Sequence, residues 1–528
     1  MRGSAAWFVF LFGLVRGFAA AEEPQLPCVP RDFGFGSVAC VCNATYCDTL
    51  PTPVLPSAGR ALVFTSDIEG ARFLRTQLSF SDSQNGTGAD VARFVLESTA
   101  FQTVVGWGGA FTDAAAKNIL DLSPDAQDRL LSSYFSPSGL EYNIGRVNMG
   151  GCDFSWRTYT YADAEGDVEL STFALQPEDT DYKIPVIKRA EALAGRPLKL
   201  FASPWTAPKW MKTNNDYVGY GQLRTDMYQP WADYFVRFLD EYAAQGITYW
   251  GLTAQNEPID GYVPGFFFNC MGWTAEEQRK WVAENLGPTL LQHGYEDVKL
   301  MILDDQRYEL PGWAENVLSD PEAAQYVSGI GVHWYGDLYT VPERLTQTHD
   351  LFPDYFILGT EACEGATPLE VDVALGKWER LESYAHDIIV DMNHWVTGWV
   401  DWNLALDMQG GPNWAENFVD APIIVNKEAD EFYKNPMFYA MGHFSKFVKE
   451  GATKLGLASE DPKKLDATAF RNPDGSTAVV ILNRSANDFE VVLDVEGRGS
   501  LRLEVAHRSL HTACLYRDHC DKTWLDRL

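Results

Sequence analysis

The sequence predicts a (β/α)8 TIM barrel with an accessory β-sandwich, on the basis of three observations. Between about residues 102 and 406, short apolar runs alternate with amphipathic helical segments, and the runs number eight. Polar or aromatic residues follow nearly every run. After residue 450 the alternation stops, and short strands without helices follow. Eight strand–helix units in about 300 residues match the size and repeat of a (β/α)8 barrel.

The strands and helices of the predicted barrel are assigned from periodicity. The strand candidates are Val104–Gly108, Asn143–Asn148, Leu198–Ser203, Thr248–Ala254, Val298–Leu303, Gly329–His333, Tyr355–Gly359 and Gly398–Trp402. The helical segments include Ser123–Tyr134, Ile184–Ala194, Trp231–Ala244, Ala275–Leu291 and Lys377–Met392.

The residues at the strand ends distinguish a barrel from a doubly wound open sheet. Both folds alternate in the same way, so periodicity alone leaves the two open. A barrel brings all strand ends to one mouth, whereas an open sheet spreads them along a line. The strand ends carry an unusual density of functional side chains, which favours the barrel: Asp153, Trp205, Asn256-Glu257, Asp304-Asp305, His333-Trp334-Tyr335, Glu361 and Asp401-Trp402-Asn403.

Both ends of the chain are predicted to form one β-sandwich beside the barrel. The early strand candidates are too few for a stable sandwich alone, so the late ones must complete it. A strong turn signal, Asn472-Pro473-Asp474-Gly475, separates two of the late strands. The candidates are Ala61–Thr65, Thr76–Phe80, Ala92–Glu97, Asp466–Phe470, Thr477–Leu482, Phe489–Val495 and Leu501–Val505.

The N-terminus is predicted to direct the chain into the secretory pathway, to the lysosome or the extracellular space. Residues 1–21 have the charge, apolar run and small-residue cleavage site of a signal peptide. The run is too short to span a bilayer, and an uncleaved signal anchor is the alternative. Three sequons, at Asn43, Asn85 and Asn483, predict glycosylation.

The nine cysteines fall into three groups. In a secreted chain, Cys28, Cys40, Cys42 and Cys47 predict two disulfides of open connectivity. A metal loop at Cys42 and Cys47 is the alternative, but no histidine cluster accompanies it. Near the C-terminus, Cys514 and Cys520 predict a third disulfide. The three remaining thiols are expected to be free and buried: Cys152, Cys270 and Cys363.

The formal net charge of −31 at pH 7 excludes some partners. So acidic a surface argues against nucleic acid and against unaided binding to anionic membranes, which leaves peripheral lipid contact at most.

Two glutamates carry the predicted chemistry. Glu257 ends the fourth strand within Asn256-Glu257-Pro258, and Glu361 ends the seventh. Glycosidic bonds are cut by paired carboxyl groups, of which one protonates the leaving oxygen. Glu257 must therefore keep a proton, and burial together with the charge of Glu361 is expected to raise its pKa.

Other chemistries find no support in the sequence. It has no serine-hydrolase elbow, phosphate loop or His-Glu-x-x-His motif. The Gly106-Trp107-Gly108-Gly109 run predicts close backbone packing instead of nucleotide binding. Asp304 and Asp305 are interpreted as hydrogen-bond or salt-bridge acceptors at the mouth, with a metal as the weaker alternative. No cofactor and no metal are predicted.

At these residues the sequence resembles glycoside hydrolase family 30, particularly its glucosylceramide-hydrolysing branch in animals. The resemblance runs from Cys28 almost to the C-terminus. It rests on long motifs in order, which include Phe111-Thr112-Asp113-Ala114-Ala115-Ala116, Cys152-Asp153-Phe154-Ser155, Ser203-Pro204-Trp205-Thr206, Leu303-Asp304-Asp305-Gln306-Arg307, His333-Trp334-Tyr335, Glu361-Ala362-Cys363 and Asp401-Trp402-Asn403-Leu404-Ala405-Leu406.

The resemblance implies a domain arrangement and an activity. It adds a small disulfide-linked N-terminal β domain (28–54 with 404–434) to a sandwich (55–101 with 451–528) and a catalytic barrel (102–403 with 435–450). The implied activity is retaining hydrolysis of glucosylceramide or a related β-glucoside.

The resemblance also implies a role for individual residues. Glu257 matches the acid/base and Glu361 the nucleophile. The implied substrate contacts are Asp153, Trp205, Asn256, Trp402 and Asn417, with an aromatic rim of Phe154, Phe266 and Phe268. The implied nucleophile-orienting residues are Arg146 and Tyr335, and His333 is expected to help tune Glu361.

Departures from the family pattern leave the substrate more open than the chemistry. Gln255 stands where the animal enzymes have Glu, and Phe266 where a Tyr is usual. The acidity argues against a saposin-like activator as partner. The rival interpretations are a secreted β-1,6-glucanase or xylanase of the same family, and a catalytically inactive glycan- or lipid-binding protein on this fold.

Overall fold

The computed structural model describes residues 24–53, 56, 59–81, 90–366, 371–459 and 461–516. The predicted signal peptide, Asn85 and Cys520 lie outside these ranges. Twenty-two strands are found among the described residues: β1 Pro30–Asp32, β2 Val38–Asn43, β3 Arg60–Asp67, β4 Leu74–Ser79, β5 Val91–Thr103, β6 Gly106–Ala110, β7 Ile144–Met149, β8 Lys199–Pro204, β9 Gly251–Thr253, β10 Lys299–Gln306, β11 Gly329–His333, β12 Phe356–Glu361, β13 Val396–Asn403, β14 Leu406–Asp407, β15 Ile423–Asn426, β16 Glu431–Lys434, β17 Thr453–Ala458, β18 Asp466–Arg471, β19 Thr477–Asn483, β20 Phe489–Val495, β21 Gly499–Val505 and β22 Ser509–Leu515.

Eleven α-helices accompany the strands of the described chain. They are α1 Asp113–Leu120, α2 Pro124–Phe135, α3 Ile184–Ala194, α4 Tyr228–Ala244, α5 Ala275–Trp281, α6 Gly287–Gln292, α7 Gly312–Leu318, α8 Pro321–Ala324, α9 Glu343–Leu351, α10 Trp378–Asn393 and α11 Pro436–Ser445. No helix of this part of the chain is long and apolar enough to cross a membrane.

The predicted barrel is confirmed. Strands β6 to β13 pair in parallel and close on themselves, since β13 pairs with β6. All eight predicted strands overlap these elements, and the five predicted helices coincide with α2, α3, α4, the α5–α6 segment and α10 to within a few residues. The strand ends therefore meet at one mouth, as the barrel interpretation required.

Close packing explains the sequence pattern of the barrel. On α4, six large apolar side chains lie on one stripe of the helix and are all buried: Trp231, Tyr234, Phe235, Phe238, Leu239 and Tyr242. A Cβ atom on Gly108 would lie 2.1 Å from the carbonyl oxygen of Ile144, so β6 and β7 could not approach as they do. The barrel interior is filled by one residue from each of five strands: Ile144, Phe201, Met301, Leu358 and Val400.

The predicted sandwich draws on both chain ends. Its nine strands run in the order β21-β20-β5-β17-β18-β19-β22-β3-β4. An antiparallel bridge between Ser81 and Ser500 joins the two outer strands. Two central strands, β17 and β22, were not predicted from the sequence, although β22 pairs with both β19 and β3.

A five-stranded sheet, β1-β2-β16-β15-β14, combines the chain start with residues 406–434. Two disulfides hold its N-terminal part, Cys28–Cys40 and Cys42–Cys47, as the cysteine count predicted. Its apolar face shares one buried cluster with the wall of the barrel mouth, which includes Val41, Phe154, Trp205, Trp402 and Ile424. The small sheet therefore supports that wall from behind.

Two modification predictions need correction. Cys514 is a free, buried thiol rather than half of a disulfide, because it lies in the middle of the sandwich sheet, between Ala478 of β19 and Leu62 of β3. Asn483 is fully buried, and its Nδ2 donates to the carbonyl oxygens of Asn487 and Ala506, each at 2.8 Å. The folded chain therefore leaves no space for a glycan on that nitrogen. The three thiols expected to be free and buried are so.

Candidate active site

Two glutamates face each other at the mouth of the barrel. Glu361 is the last residue of β12, and Glu257 follows β9 after a short turn. A carboxylate oxygen of Glu257 lies within 4.8 Å of one of Glu361. Retaining glycosidases hold their carboxyl groups about 5–5.5 Å apart, whereas inverting enzymes need about 6.5–9.5 Å for an intervening water. The short separation is that of a retaining site.

Glu361 is buried and held at both oxygens. Arg146, from β7, forms a charged hydrogen bond to one oxygen. The Tyr335 hydroxyl donates to the other at 2.9 Å. Burial raises the pKa of Glu361, with a smaller contribution from the charge of Glu257, while the cations His333 and Arg146 oppose it. The carboxylate is thus fixed in orientation, as expected for Arg146 and Tyr335.

A bulge at the end of β10 turns two neighbouring carboxylates toward the mouth. Leu303 and Asp304 have φ angles of 65° and 57°, and the pairing with β11 shifts register at this point. Bulges re-aim side chains beside active sites. Asp304 accepts from Arg146 at 2.9 Å and from Thr253 at 2.7 Å. Asp305 lies nearer Glu257, and burial followed by that charge raises its pKa to about 7.

His333 forms its hydrogen bond with Glu257, whereas the sequence suggested an effect on Glu361. Its Nδ1 lies 3.0 Å from Glu257 Oε1, and its Nε2 lies 3.0 Å from Asp304 Oδ1. Its burial alone would lower the pKa of His333, but the charges of Glu361 and Asp304 raise it to about 10. Both ring nitrogens therefore donate. The charge of His333 lowers the pKa of Glu361, in line with the predicted tuning, but its hydrogen bonds go to Glu257 and Asp304, so His333 does not orient Glu361 directly.

Glu257 is surrounded by donors. Besides His333, the Gln306 amide donates to its Oε1 at 3.0 Å. Burial raises the pKa of Glu257, but the hydrogen bond and charge of His333 outweigh it, and the pKa falls below its ordinary value. The expected rise in the pKa of Glu257 is therefore wrong. Gln306 was not singled out from the sequence, although it stands in the Leu303–Arg307 motif.

The side chains predicted to contact the sugar lie beside the two glutamates, since Arg146, the partner of Glu361, lies over the rings of Trp205 and Trp402. Trp205 and Trp402 stack with centroids 5.2 Å apart and planes 18° from parallel. Asp153 accepts from Asn417 at 3.0 Å and from Asn413 at 3.1 Å, and burial raises its pKa to about 7. Indole faces and charged acceptors are the groups that bind the faces and hydroxyls of a sugar.

Asn256 bridges the pocket and the catalytic pair. Its Oδ1 accepts from Arg146 at 2.8 Å, and among the described residues nothing accepts from its Nδ2. Its amide can therefore donate to a sugar hydroxyl. The neighbouring Gln255 is buried and donates from Nε2 to the carbonyl oxygens of Pro204 and Trp205, at 3.1 and 2.9 Å. The Gln255 side chain thus hydrogen-bonds to backbone carbonyl groups and adds no charge to the site.

The aromatic rim is partly as expected. Phe266 and Phe268, in the loop after Glu257, pack edge to face at 4.5 Å and are half-buried, while Phe267 between them is exposed. Phe154 differs: it is buried and packs edge-on against Trp402 at 5.9 Å. It belongs to the wall behind the pocket instead of the rim.

Removal of Arg146 is expected to destabilise the protein strongly. Arg146→Met would leave the buried carboxylates of Asp304 and Glu361 without their cation, which costs about 3–5 kcal/mol for a broken buried pair. Urea unfolding would measure the free energy of unfolding. Arg237→Met is the control, because Arg237 lies at the surface: its ion pair with Glu241 is worth less than about 1 kcal/mol, and its other contacts are a 3.3 Å hydrogen bond to the Leu170 carbonyl oxygen and the Phe173 ring. Equal losses in both variants would contradict the structural role of Arg146.

A (β/α)8 barrel with two facing glutamates at its mouth defines the class of the protein as a glycoside hydrolase. Residues 104–448 match the model of the glycosyl hydrolase family 30 TIM-barrel domain, and residues 451–513 match that of the family's beta sandwich domain. The chain belongs to glycoside hydrolase family 30, a retaining family.

Relatives and solved structures agree with this family. Lysosomal acid glucosylceramidase of Mus musculus is 48% identical over 510 residues, which cover 95% of this chain and 97% of that protein. An endo-1,6-β-D-glucanase of Aspergillus fumigatus is 28% identical and covers 75% of this chain and 81% of its own length. The crystal structure of SrfJ from Salmonella typhimurium superposes with a TM-score of 0.80 at 29% identity, over 87% of this chain and all of that one.

Proposed function

We propose that this protein hydrolyses glucosylceramide to glucose and ceramide with retention, using Glu361 as nucleophile and Glu257 as acid/base. The observation that carries the proposal is the close approach of these two carboxyl groups at the mouth of the barrel. The likeness to the mouse glucosylceramidase, over nearly the whole of both chains, supports the choice of substrate.

The proposed reaction is a double displacement. Glu361 attacks the anomeric carbon while Glu257 gives its proton to the glycosidic oxygen, and ceramide leaves. Arg146 and Tyr335 hold the attacking carboxylate in place. Once Glu361 is esterified its negative charge is lost, so Glu257 can take a proton from water, which then releases β-glucose. No step requires a metal or a cofactor.

The surface around the mouth suits a lipid aglycone. Phe266 and Phe268 give the loop after Glu257 an apolar face toward the mouth. Phe267 and Val263 of the same loop are exposed, at 54% and 42%. Apolar side chains in such positions favour a hydrocarbon aglycone over a polymer of sugars. We propose only peripheral contact with lipid, and a location in the lysosome or elsewhere along the secretory pathway.

The rival specificity within the family is an endo-acting glucanase. Endo-acting enzymes must bind several sugar rings in a row, and the exposed side chains of Val263 and Phe267 in the loop after Glu257 offer those rings no hydrogen-bonding group. The apolar rim adds to the case against a polymer.

Substrate competition tests the proposal. We expect the purified protein to release glucose from glucosylceramide in detergent micelles at least about tenfold faster than from β-1,6-glucan between pH 4 and 7. A glucose epoxide of the cyclophellitol type should attach to Glu361, located by peptide mass spectrometry. Preferred cleavage of the polymer would overturn the lipid assignment, and labelling of another residue would overturn the role of Glu361.

A further inference from the structure

A second carboxyl group lies against the proposed acid/base, and the reaction as described does not use it. Asp260 follows Glu257 by three residues, and its N–H donates to the Glu257 carbonyl oxygen at 3.0 Å. The two carboxyl groups are within hydrogen-bonding reach of each other.

The backbone fixes this arrangement. Glu257 has a φ of 41°, in the left-handed region that L-residues adopt only when their surroundings impose it. The Glu257 N–H donates to the carbonyl oxygen of Asp304 at 2.9 Å. The N–H of Ile259 donates to the Asp305 carboxylate at 3.3 Å. The turn from Glu257 to Asp260 is thus attached to the end of β10 at two points.

Two carboxylates cannot hydrogen-bond to each other unless one carries a proton. The charges that face the pair differ between its members. Glu257 faces the cations His333 and Arg146, which favour its ionised form. Asp260 faces Asp305 and the thiol of Cys270, in addition to Glu257 itself.

These surroundings place the proton on Asp260. Burial, and then the charges of Glu257 and Asp305, raise the pKa of Asp260 well above its ordinary value. The phenol of Tyr308 also faces Asp260, Asp305 and Glu257, and burial, followed by their negative charges, contributes to a raised pKa of Tyr308. The aspartate is therefore the protonated partner of an ionised glutamate.

We propose that Asp260 is a positioning residue that stores the proton of the acid/base, so that Glu257 and Asp260 act as a carboxyl pair with one proton between them. This inference rests on the proposed function. Before the first step the proton passes from Asp260 to Glu257, and Glu257 delivers it to the departing oxygen. Both carboxyl groups are then ionised. In the second step Glu257 removes a proton from water, and the pair again holds one proton.

The pair resolves a conflict in the site. His333 and Arg146 orient the two glutamates, but they also favour loss of the proton that the first step needs. A neighbouring carboxyl group opposes this loss, because the last proton of two close acids is held to a higher pH than that of either alone. Gln255 and Gln306, beside Glu257, are uncharged and cannot do so, and the Asp305 carboxylate accepts from the N–H groups of Ile259 and Gln306.

Asp260→Asn tests the proposal through the pH dependence of kcat/KM. Removal of the second acid should move the alkaline limb to lower pH by about one unit, since charge partners shift pKa values by one to three units. At pH 7 the variant should lose about tenfold, while near pH 4.5 it should approach the parent. Asp260→Glu should keep much of the parent profile. Asp354→Asn, at an exposed carboxylate far along the chain, is the charge-matched control.

A leaving-group comparison separates proton storage from a structural role. A 2,4-dinitrophenyl β-glucoside departs without a proton, so Asp260→Asn should cleave it at close to the parental rate in the first step. A methyl β-glucoside should show the full loss. Equal losses on both substrates at every pH, or an unshifted alkaline limb, would overturn the proposal.

Glu257→Gln separates a failure of the storage role of Asp260 from a failure of the proposed function. If Glu257→Gln loses its activity on the methyl β-glucoside and Asp260→Asn does not shift the alkaline limb of the pH profile, Glu257 remains the acid/base. Only the storage role of Asp260 then fails. If Glu257→Gln retains the methyl glucoside activity, the proposed function fails along with the inference that rests on it.

Discussion

Replacement of Glu361 by glycine is expected to lower kcat/KM by roughly 10⁴-fold or more, because the covalent intermediate can no longer form. Added azide should restore part of the rate by entering the space left by the side chain. It would attack the anomeric carbon from the nucleophile's own face, in one displacement. The product should therefore be the α-glucosyl azide.

Proton NMR of the products from 2,4-dinitrophenyl β-glucoside would identify the anomer. Glu343→Gly, at an exposed glutamate in the first turn of α9, is the matched control and should behave as the parent. A β-azide from the Glu361→Gly variant would contradict the assignment, since it would mean that the carboxylate on that face still forms the intermediate.

Replacement of Glu257 by glycine should give a loss that depends on the leaving group. General acid catalysis contributes about 10²–10⁴-fold, and this loss should appear in full for an alkyl aglycone such as ceramide. With a dinitrophenyl leaving group the first step should survive, and the glycosyl-enzyme should accumulate on Glu361. Azide would then attack that intermediate from the opposite face and give the β-glucosyl azide.

Burst kinetics and mass spectrometry of the intact protein would measure the accumulated intermediate. A uniform loss across leaving groups would contradict the acid role of Glu257. The opposite stereochemistry of the two azide products makes the two assignments independent, because a reversal of roles would exchange the products.

The barrel could be predicted from the sequence because its strand ends carry chemistry. An apolar run followed by Glu, Asp or Trp is informative, and all eight strands were found in this way. Two strands of the sandwich escaped this approach. Gly456 interrupts β17, and β22 carries polar residues such as His511 among its apolar ones, so neither run has a clear apolar face.

The small sheet could not be predicted from periodicity at all. Its strands have two to six residues, and β2 pairs with β16, whose sequence lies nearly the whole barrel away. Only the cysteines and the resemblance to the family pointed to a folded unit there.

The site shows a different limit. The sequence indicated which residues gather at the mouth, but not where each side chain points. His333 occupies the register position beside Glu361, yet its ring turns to Glu257 and Asp304. The bulge in β10, which directs Asp304 and Asp305 to different partners, has no sequence signature of its own. The effect of Asp260 likewise depends on a turn whose backbone angles cannot be read from residue types.

The pairing of β2 with β16 and of β3 with β22 also sets an order of events during synthesis. Residues 38–43 leave the ribosome long before their partners at 431–434, and β3 must wait for a strand that ends at Leu515. At about 5–20 residues per second, this delay lasts tens of seconds. The barrel strands are all present earlier, but the sheet that backs the wall holding Trp402 is completed only after β16 has left the ribosome. A chain released early would thus carry both glutamates and still lack a finished pocket.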